Sequence, residues 1–227
     1  MSVTWSGYGS RSTLKPQYLA ERDALADAAR DGDWETVLRI VGENAELANS
    51  SRVGGSSGYT PLHQAAWHGA PEPVVERLLA AGAWRTLRTT GGDAAGERAC
   101  DVASRRGHRQ LASILVPRPR HPVPEETASR LRAGLHEVIL GRVADLVREH
   151  VLRLPEVEPL TELEEPGLWF PVPGFYGGFS IELRLPDGES AESAELEVSS
   201  WCRVWGGSGQ RHRVAVDGVE LVEEGFV

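Results

Sequence analysis

Hydrophobic positions recur at helical spacing through the first half of the chain and at strand spacing through the second. Between residues 22 and 116 a short motif returns three times, as ADAARDG at 26–32, HQAAWHG at 63–69 and DVASRRG at 101–107. Small residues hold equivalent places and a glycine closes each copy, with Gly32, Gly69 and Gly107 spaced 37 and 38 residues apart. After each glycine comes a second apolar stripe: Val37, Ile40 and Val41, then Val75, Leu78 and Leu79, then Leu111, Ile114 and Leu115. Steps of three and four residues put these side chains on one helix face. Each unit therefore reads as two short antiparallel helices, the first ended by a glycine free to take positive φ. Asp33 suits the cap of the second helix in the first unit, and Pro71 suits the opening turn of its counterpart.

The pattern breaks at VPRPRHPVP (116–124), too rich in proline to continue a helix. Glu125 and Glu126 then open one long helix carrying Leu131, Leu135, Val138, Ile139, Val143, Leu146 and Val147 on a single stripe, ending near Leu152. Beyond Pro155 the period changes to two. The segments 181–185, 195–205, 212–216 and 220–227 read as strands joined by Pro-Asp-Gly, GGSGQ and Asp-Gly turns. LWFPV at 168–172 adds a candidate edge strand, with Pro171 keeping it off the centre of a sheet. The expected architecture is a three-unit helical stack followed by a small α+β domain, one long helix on an antiparallel sheet of four to five strands. The expected boundaries are an N-terminal tail at 1–21, the stack at 22–116, a Pro/Arg linker at 117–124 and the α+β domain at 125–227.

The middle unit, GYTPLHQAAWHG at 58–69 followed by LLAAGA at 78–83, closely resembles the ankyrin repeat. That resemblance implies that Thr60 caps a helix, Pro61 fits its opening turn, Leu62 packs inward and His63 bridges neighbouring loops. Ala65 and Ala66 are small where helices must approach closely. The flanking units keep less of the motif, with DALA at 23–26 and RACD at 98–101 in place of Thr-Pro-Leu-His. The spacings exceed the roughly 33 residues of an ankyrin unit, which implies loop insertions at VGGSSG (53–58) and TGGDAAG (90–96). The second half is not recognised as a member of a characterised family; the order of its elements is similar to that of cystatin-like α+β folds, a likeness that carries no function.

Charge changes the picture for the second half. Of a formal net charge of −9, residues 1–121 hold 15 basic against 13 acidic side chains, and residues 122–227 hold 9 against 20. So negative a surface repels phosphate backbones over a Debye length of about 8 Å, which argues against nucleic acid. Only Cys100 and Cys202 are present, in different halves, and suggest neither a disulfide framework nor a cysteine-based zinc site. No apolar run is long enough to span a bilayer and the start lacks the order of a signal peptide, so a cytoplasmic protein is expected. Of the 24 basic residues 23 are Arg, a bias typical of bacterial coding rich in G and C.

No catalytic residue, metal or cofactor is assigned, and a non-enzymatic reading is favoured. The ankyrin resemblance implies a protein partner, contacted through loop tips and the exposed side of each first helix. On this chain those places hold Arg30 and Asp31, Tyr59, Trp67, His68, Trp84, Arg85, Arg105 and Arg106. Trp67 is the first choice, because aromatic and Arg side chains dominate interfaces; the alternative is that Trp67 and Trp84 pack under the inserted loops or against the second domain. The cluster from Arg105 to Arg109 with Arg118 and Arg120 suits an acidic partner or the chain's own acidic half.

A second hypothesis makes the C-terminal domain a small-molecule binder or minor enzyme. PVPGFYGGF at 171–179, with Phe175 and Tyr176, would line a pocket facing Trp201, Arg203 and Trp205, with Gln210 and His212 nearby. Cys202 and His212 could form a thiolate–imidazolium pair across a hairpin, although a cysteine on a strand more often packs as a small hydrophobe. The acidic run at 156–165 lacks the ligand spacing of a calcium loop and reads as a solvated connection.

Overall fold

A computed structural model of the chain describes residues 3–91, 95–185, 191–204 and 207–226. Trp205, the Pro-Asp-Gly turn at 186–188 and the middle of the 90–96 loop lie outside these residues. The chain divides into two compact units, residues 9–118 on the one hand, and residues 1–8 with 119–227 on the other.

The first unit holds three helix pairs: α1 (Pro16–Asp31) with α2 (Trp34–Glu43), α3 (Pro61–His68) with α4 (Glu72–Ala80), and α5 (Ala99–Arg105) with α6 (Arg109–Ile114). Gly32, Gly69 and Gly107 follow the first helix of each pair at φ 76°, 66° and 81°, as the repeated motif predicts. At Gly69 a side chain would also strike the His108 ring, 2.5 Å from where its Cβ would stand. Asp33 caps α2 by accepting the Thr36 N–H at 3.1 Å. The core is built from the residues the stripes pick out: Val37, Ile40, Val41, Val75, Leu78, Leu111 and Leu115 are buried. The small residues Ala28, Ala29, Ala65, Ala66 and Ala103 are buried among them, where bulk would push the helices apart.

In the second unit, α7 (Glu125–Glu149) covers one face of a sheet in the order β1 (Val3–Thr4), β2 (Gly167–Val172), β3 (Gly177–Arg184), β4 (Glu195–Cys202), β5 (Ser208–Ala215), β6 (Gly218–Phe226). Among the described residues the sheet has six strands rather than the expected four to five, and it is mixed: β1 runs parallel to β2, while the other pairs are antiparallel. One added strand accounts for the difference, and one expected strand is longer than its apolar pattern suggests. Residues 3–4, expected within a tail, pair with Leu168 and Trp169, and the glycine-rich start of β3 pairs through Gly177 and Gly178. Neither has an apolar alternation to read. Because β1 reaches only Leu168 and Trp169, Pro171 meets no partner strand on that side and its missing N–H costs nothing there.

Alternation divides the sheet cleanly. Leu168, Phe170, Phe179, Ile181, Leu196, Val198 and Val214 are buried on the α7 side, against Leu131, Leu135, Val138 and Ile139 of the helix. Gly134 lets α7 approach β5, since a Cβ there would lie 2.5 Å from Val214. The helix bends at Val143, whose φ of −139° and ψ of 28° interrupt it. Among the described residues no helix is long and apolar enough to cross a membrane.

Two stability predictions follow from this unit. Val151, just past α7, sits at φ 49° with its side chain 63% exposed, a conformation that a β-branched residue adopts only under strain. Val151→Gly is expected to stabilise the protein by about 1 kcal/mol in urea unfolding with an unchanged m-value. His136 donates from Nε2 to the Pro155 carbonyl at 2.9 Å, and burial pushes its pKa down. A histidine held neutral in the fold takes up protons on unfolding, so stability is full above the unfolded pKa of about 6.5 and is lost as pH falls below it. Unfolding free energies from pH 7.5 to 5 should show this slope, and His136→Gln should flatten it.

Candidate functional site

The long loops of the repeat unit carry backbone groups that no helix or sheet ladder pairs, and side chains fill the gap. His63 is buried at the start of α3, where its Nδ1 accepts the Thr60 hydroxyl at 2.8 Å and the Thr60 N–H at 3.4 Å. That leaves Nε2 protonated to donate to the Glu97 carbonyl of the next unit at 3.3 Å. Asn49 donates to the Gly82 carbonyl and accepts the Trp84 N–H, both at 2.8 Å. His68 donates to the Arg30 carbonyl at 2.8 Å, and His108 makes the equivalent bond to the Trp67 carbonyl at 3.3 Å. The second and third units are thus each tied to the one before by a histidine ring nitrogen. In the third unit Asp101 replaces His63 and accepts the Arg98 N–H at 2.9 Å.

Trp67 stands at the centre of what these ties hold still. It is half-buried against the helical core, with Tyr59 edge-on at 6.3 Å between ring centroids. The Arg106 guanidinium lies 4.1 Å from the Trp67 centroid and the Arg105 guanidinium 5.5 Å. Arg105 is fixed further: Nη2 donates to the Tyr59 hydroxyl at 3.2 Å and pairs with Glu97 at 2.9 Å, contacts that raise its pKa. Arg106 is different. It is exposed, stacked on the indole, and among the described residues forms no ion pair with a carboxylate. A cation held on an aromatic face with no counter-charge offers both halves of an interface contact.

The other expected partner residues fall into two groups. Arg30 and His68 are exposed next to this patch, Arg30 being neutralised by Asp27 and Asp31 at 3.0 Å. Trp84 and Arg85 do not belong to the face. Trp84 is only 5% exposed and its N–H is held by Asn49, while Arg85 is partly buried with Nε donating to the Ile114 carbonyl at 3.3 Å. Asn49 and the end of α6 hold both inward, which tells against them as partner contacts. A cleft of about 240 Å³ beside the patch is lined in part by Arg22, Arg30, Arg52, Tyr59 and Gln64. Arg22, Arg52 and Gln64 were not legible in sequence. Arg22 precedes Arg30 by eight residues on α1, a spacing that returns to one helix face, whereas Arg52 arrives from a loop.

In the α+β unit the expected pocket residues do not converge. Trp201 lies on the sheet face away from α7 and stacks on Trp169 at 4.7 Å. Gln210 and His212 lie on the opposite face, because the register sets Trp201 against Gly209, Ser200 against Gln210 and Val198 against His212. Phe175 joins that second face, stacked at 6.2 Å on the buried Phe179. Tyr176 is 71% exposed; Arg203, also exposed, donates its N–H to the Tyr176 carbonyl at 3.1 Å. Nor do Cys202 and His212 pair: Cys202 stands four residues along β4 from Val198, the partner of His212, roughly 13 Å of strand.

Residues 57–90 match the family model described as ankyrin repeat. The chain carries an ankyrin repeat. The probable E3 ubiquitin-protein ligase XBOS32 of Oryza sativa subsp. japonica is 35% identical over 97 residues, which cover 43% of this chain and 18% of that protein. This chain thus spans less than a fifth of that relative's length. Within the ankyrin repeat, His63 and Trp67 share one helix yet do separate work, the first closing loops and the second facing outward. His63→Ala is expected to lower the unfolding free energy by about 2–4 kcal/mol, since it strands buried polar groups. Trp67→Ala should cost less than half as much, as read by urea unfolding of both variants.

Proposed function

We propose that this chain is a protein-binding adaptor that grips a partner through the face of its repeat unit centred on Trp67. The observation that carries the reading is the Arg106 guanidinium, without an ion pair among the described residues, 4.1 Å from the Trp67 centroid. Tyr59 and Arg105 are locked beside it, so little side-chain freedom remains to be lost on binding. A half-buried indole supplies the apolar area of a hot spot, and the free guanidinium selects a carboxylate on the partner. The partner is therefore a protein presenting an acidic segment with an apolar or aromatic anchor. Arg30 and His68 extend the face along the stack. The acidic second half, 9 basic against 20 acidic side chains over 122–227, modulates this choice by opposing acidic proteins that do not engage the patch. The two free cysteines suit a reducing cytoplasm.

The test is capture from a lysate of the source cells on the immobilised full chain. Wild type should retain a partner that a Trp67→Ala, Arg106→Glu double variant loses more than about tenfold, in keeping with hot-spot energies above roughly 1.4 kcal/mol. Arg85→Ala should capture as wild type does, and raising the salt should weaken capture. Equal retention by wild type and the double variant would remove Trp67 from the binding face.

A further inference from the structure

The face of the sheet turned to α7 is apolar over most of its length, but toward the end where β4 turns into β5 it becomes polar. Register places Ser200 and Cys202 of β4 on this face with Ser208, Gln210 and His212 of β5. Arg142 of α7, one residue before the bend at Val143, reaches over them. Its Nη2 donates to the Ser208 carbonyl and, at 3.0 Å, to the Ser208 hydroxyl. The guanidinium lies 5.3 Å from the Phe175 centroid, and Phe175 continues into the buried Phe179.

Three polar atoms in this region are buried without a hydrogen-bond partner among the described residues: Arg142 Nε, Ser200 Oγ and His212 Nδ1. Ser200 as a residue is only 2% exposed. Buried polar atoms are almost always paired, so three orphans in one neighbourhood mark a place built to hold something. Each of the three can act as a donor. A guanidinium only donates, a serine hydroxyl can, and a neutral histidine carries its proton on Nδ1 whenever Nε2 is bare. Burial, with Arg142 nearby, lowers the His212 pKa and so keeps the ring neutral.

Arg142 has no carboxylate within ion-pair distance among the described residues. Glu224 is near enough to act on it, but that carboxylate already accepts from Gln210 Nε2 at 2.7 Å. One guanidinium, with a glutamate in range, suits a single negative charge and disfavours a dianion such as phosphate. The planar fork of Arg matches a carboxylate, and Phe175 offers an apolar wall next to it. Phe175, Cys202 and Gln210 are partly exposed, so solvent reaches this end of the sheet.

We propose that Arg142, Ser200 and His212 form the polar floor of a site for a small apolar monocarboxylate, with Phe175 as its wall. The site is independent of the repeat face and stands whether or not that face binds a protein.

Benzoate is a suitable probe, titrated calorimetrically into the full chain with inorganic phosphate as the comparison. Benzoate should bind and raise Tm, and phosphate should bind at least tenfold more weakly. Arg142→Met, which keeps the apolar stem, should weaken benzoate at least tenfold. Ser200→Ala keeps the Arg142–Ser208 contact and gives a two-sided signature. Removing an orphaned hydroxyl should raise the Tm of the free protein while weakening benzoate severalfold. Absence of benzoate binding at millimolar concentration, equal binding by folded Arg142→Met, or phosphate binding as tight as benzoate would each overturn the assignment. So would a lowered Tm in Ser200→Ala, which would show that the hydroxyl is already satisfied by the fold.

Discussion

The repeat unit depends on pairing the backbone groups of its long inter-helix loops. A helix satisfies its own N–H and C=O groups and a sheet satisfies those of its neighbours; these loops can do neither. Asn49 takes both a carbonyl and an N–H of the next unit's loop, and His63 holds its own cap while donating forward to Glu97. His68 and His108 close the ends of two first helices. Because each of these bonds joins consecutive units, stacking and loop closure are one process. The buried alanines then allow the close helix approach that the ties require.

That arrangement explains why function collects where it does. Side chains committed to ties, such as His63 and Asn49, are unavailable to a partner. Trp67 is held near the end of α3, its own carbonyl bonded by His108 and the first turn of the helix capped, so its ring is presented without being consumed. Arg105 is anchored by Glu97 and Tyr59, and Arg106, one residue on, remains free to meet a carboxylate. In the α+β unit a similar economy separates the two sheet faces. Stacked Trp169 and Trp201 lie on one side, and Arg142, Ser200 and His212 on the other.

Much of the repeat unit was legible because its signals are local. The glycines at 32, 69 and 107, the stripes through Val37 and Val75, the Asp33 cap and the Thr60–His63 start each act within a turn or two of the chain. Trp84 shows the limit. Its loop position suggested exposure, yet its backbone N–H donates to the side-chain oxygen of Asn49, 35 residues away in sequence, and the ring is buried. Arg52 of the cleft reaches Asp23 and Asp27 from a loop, a contact without periodicity to betray it.

By itself the sequence determined the helix pairs, the long helix, the change to strands near residue 167 and the inward and outward alternation of β4, because periodicity and turn chemistry act over a few residues. Only the tertiary structure decided how many strands the sheet holds, since Val3 and Thr4 join it across more than 160 residues of chain. It also decided which candidates share a face. Trp201 and His212 look like neighbours in sequence, but antiparallel register sets them on opposite sides of the sheet. Arg142 meets Ser208 because α7 crosses β5 where Gly134 lets it come close. Such meetings depend on the packing of distant segments, which no local pattern encodes.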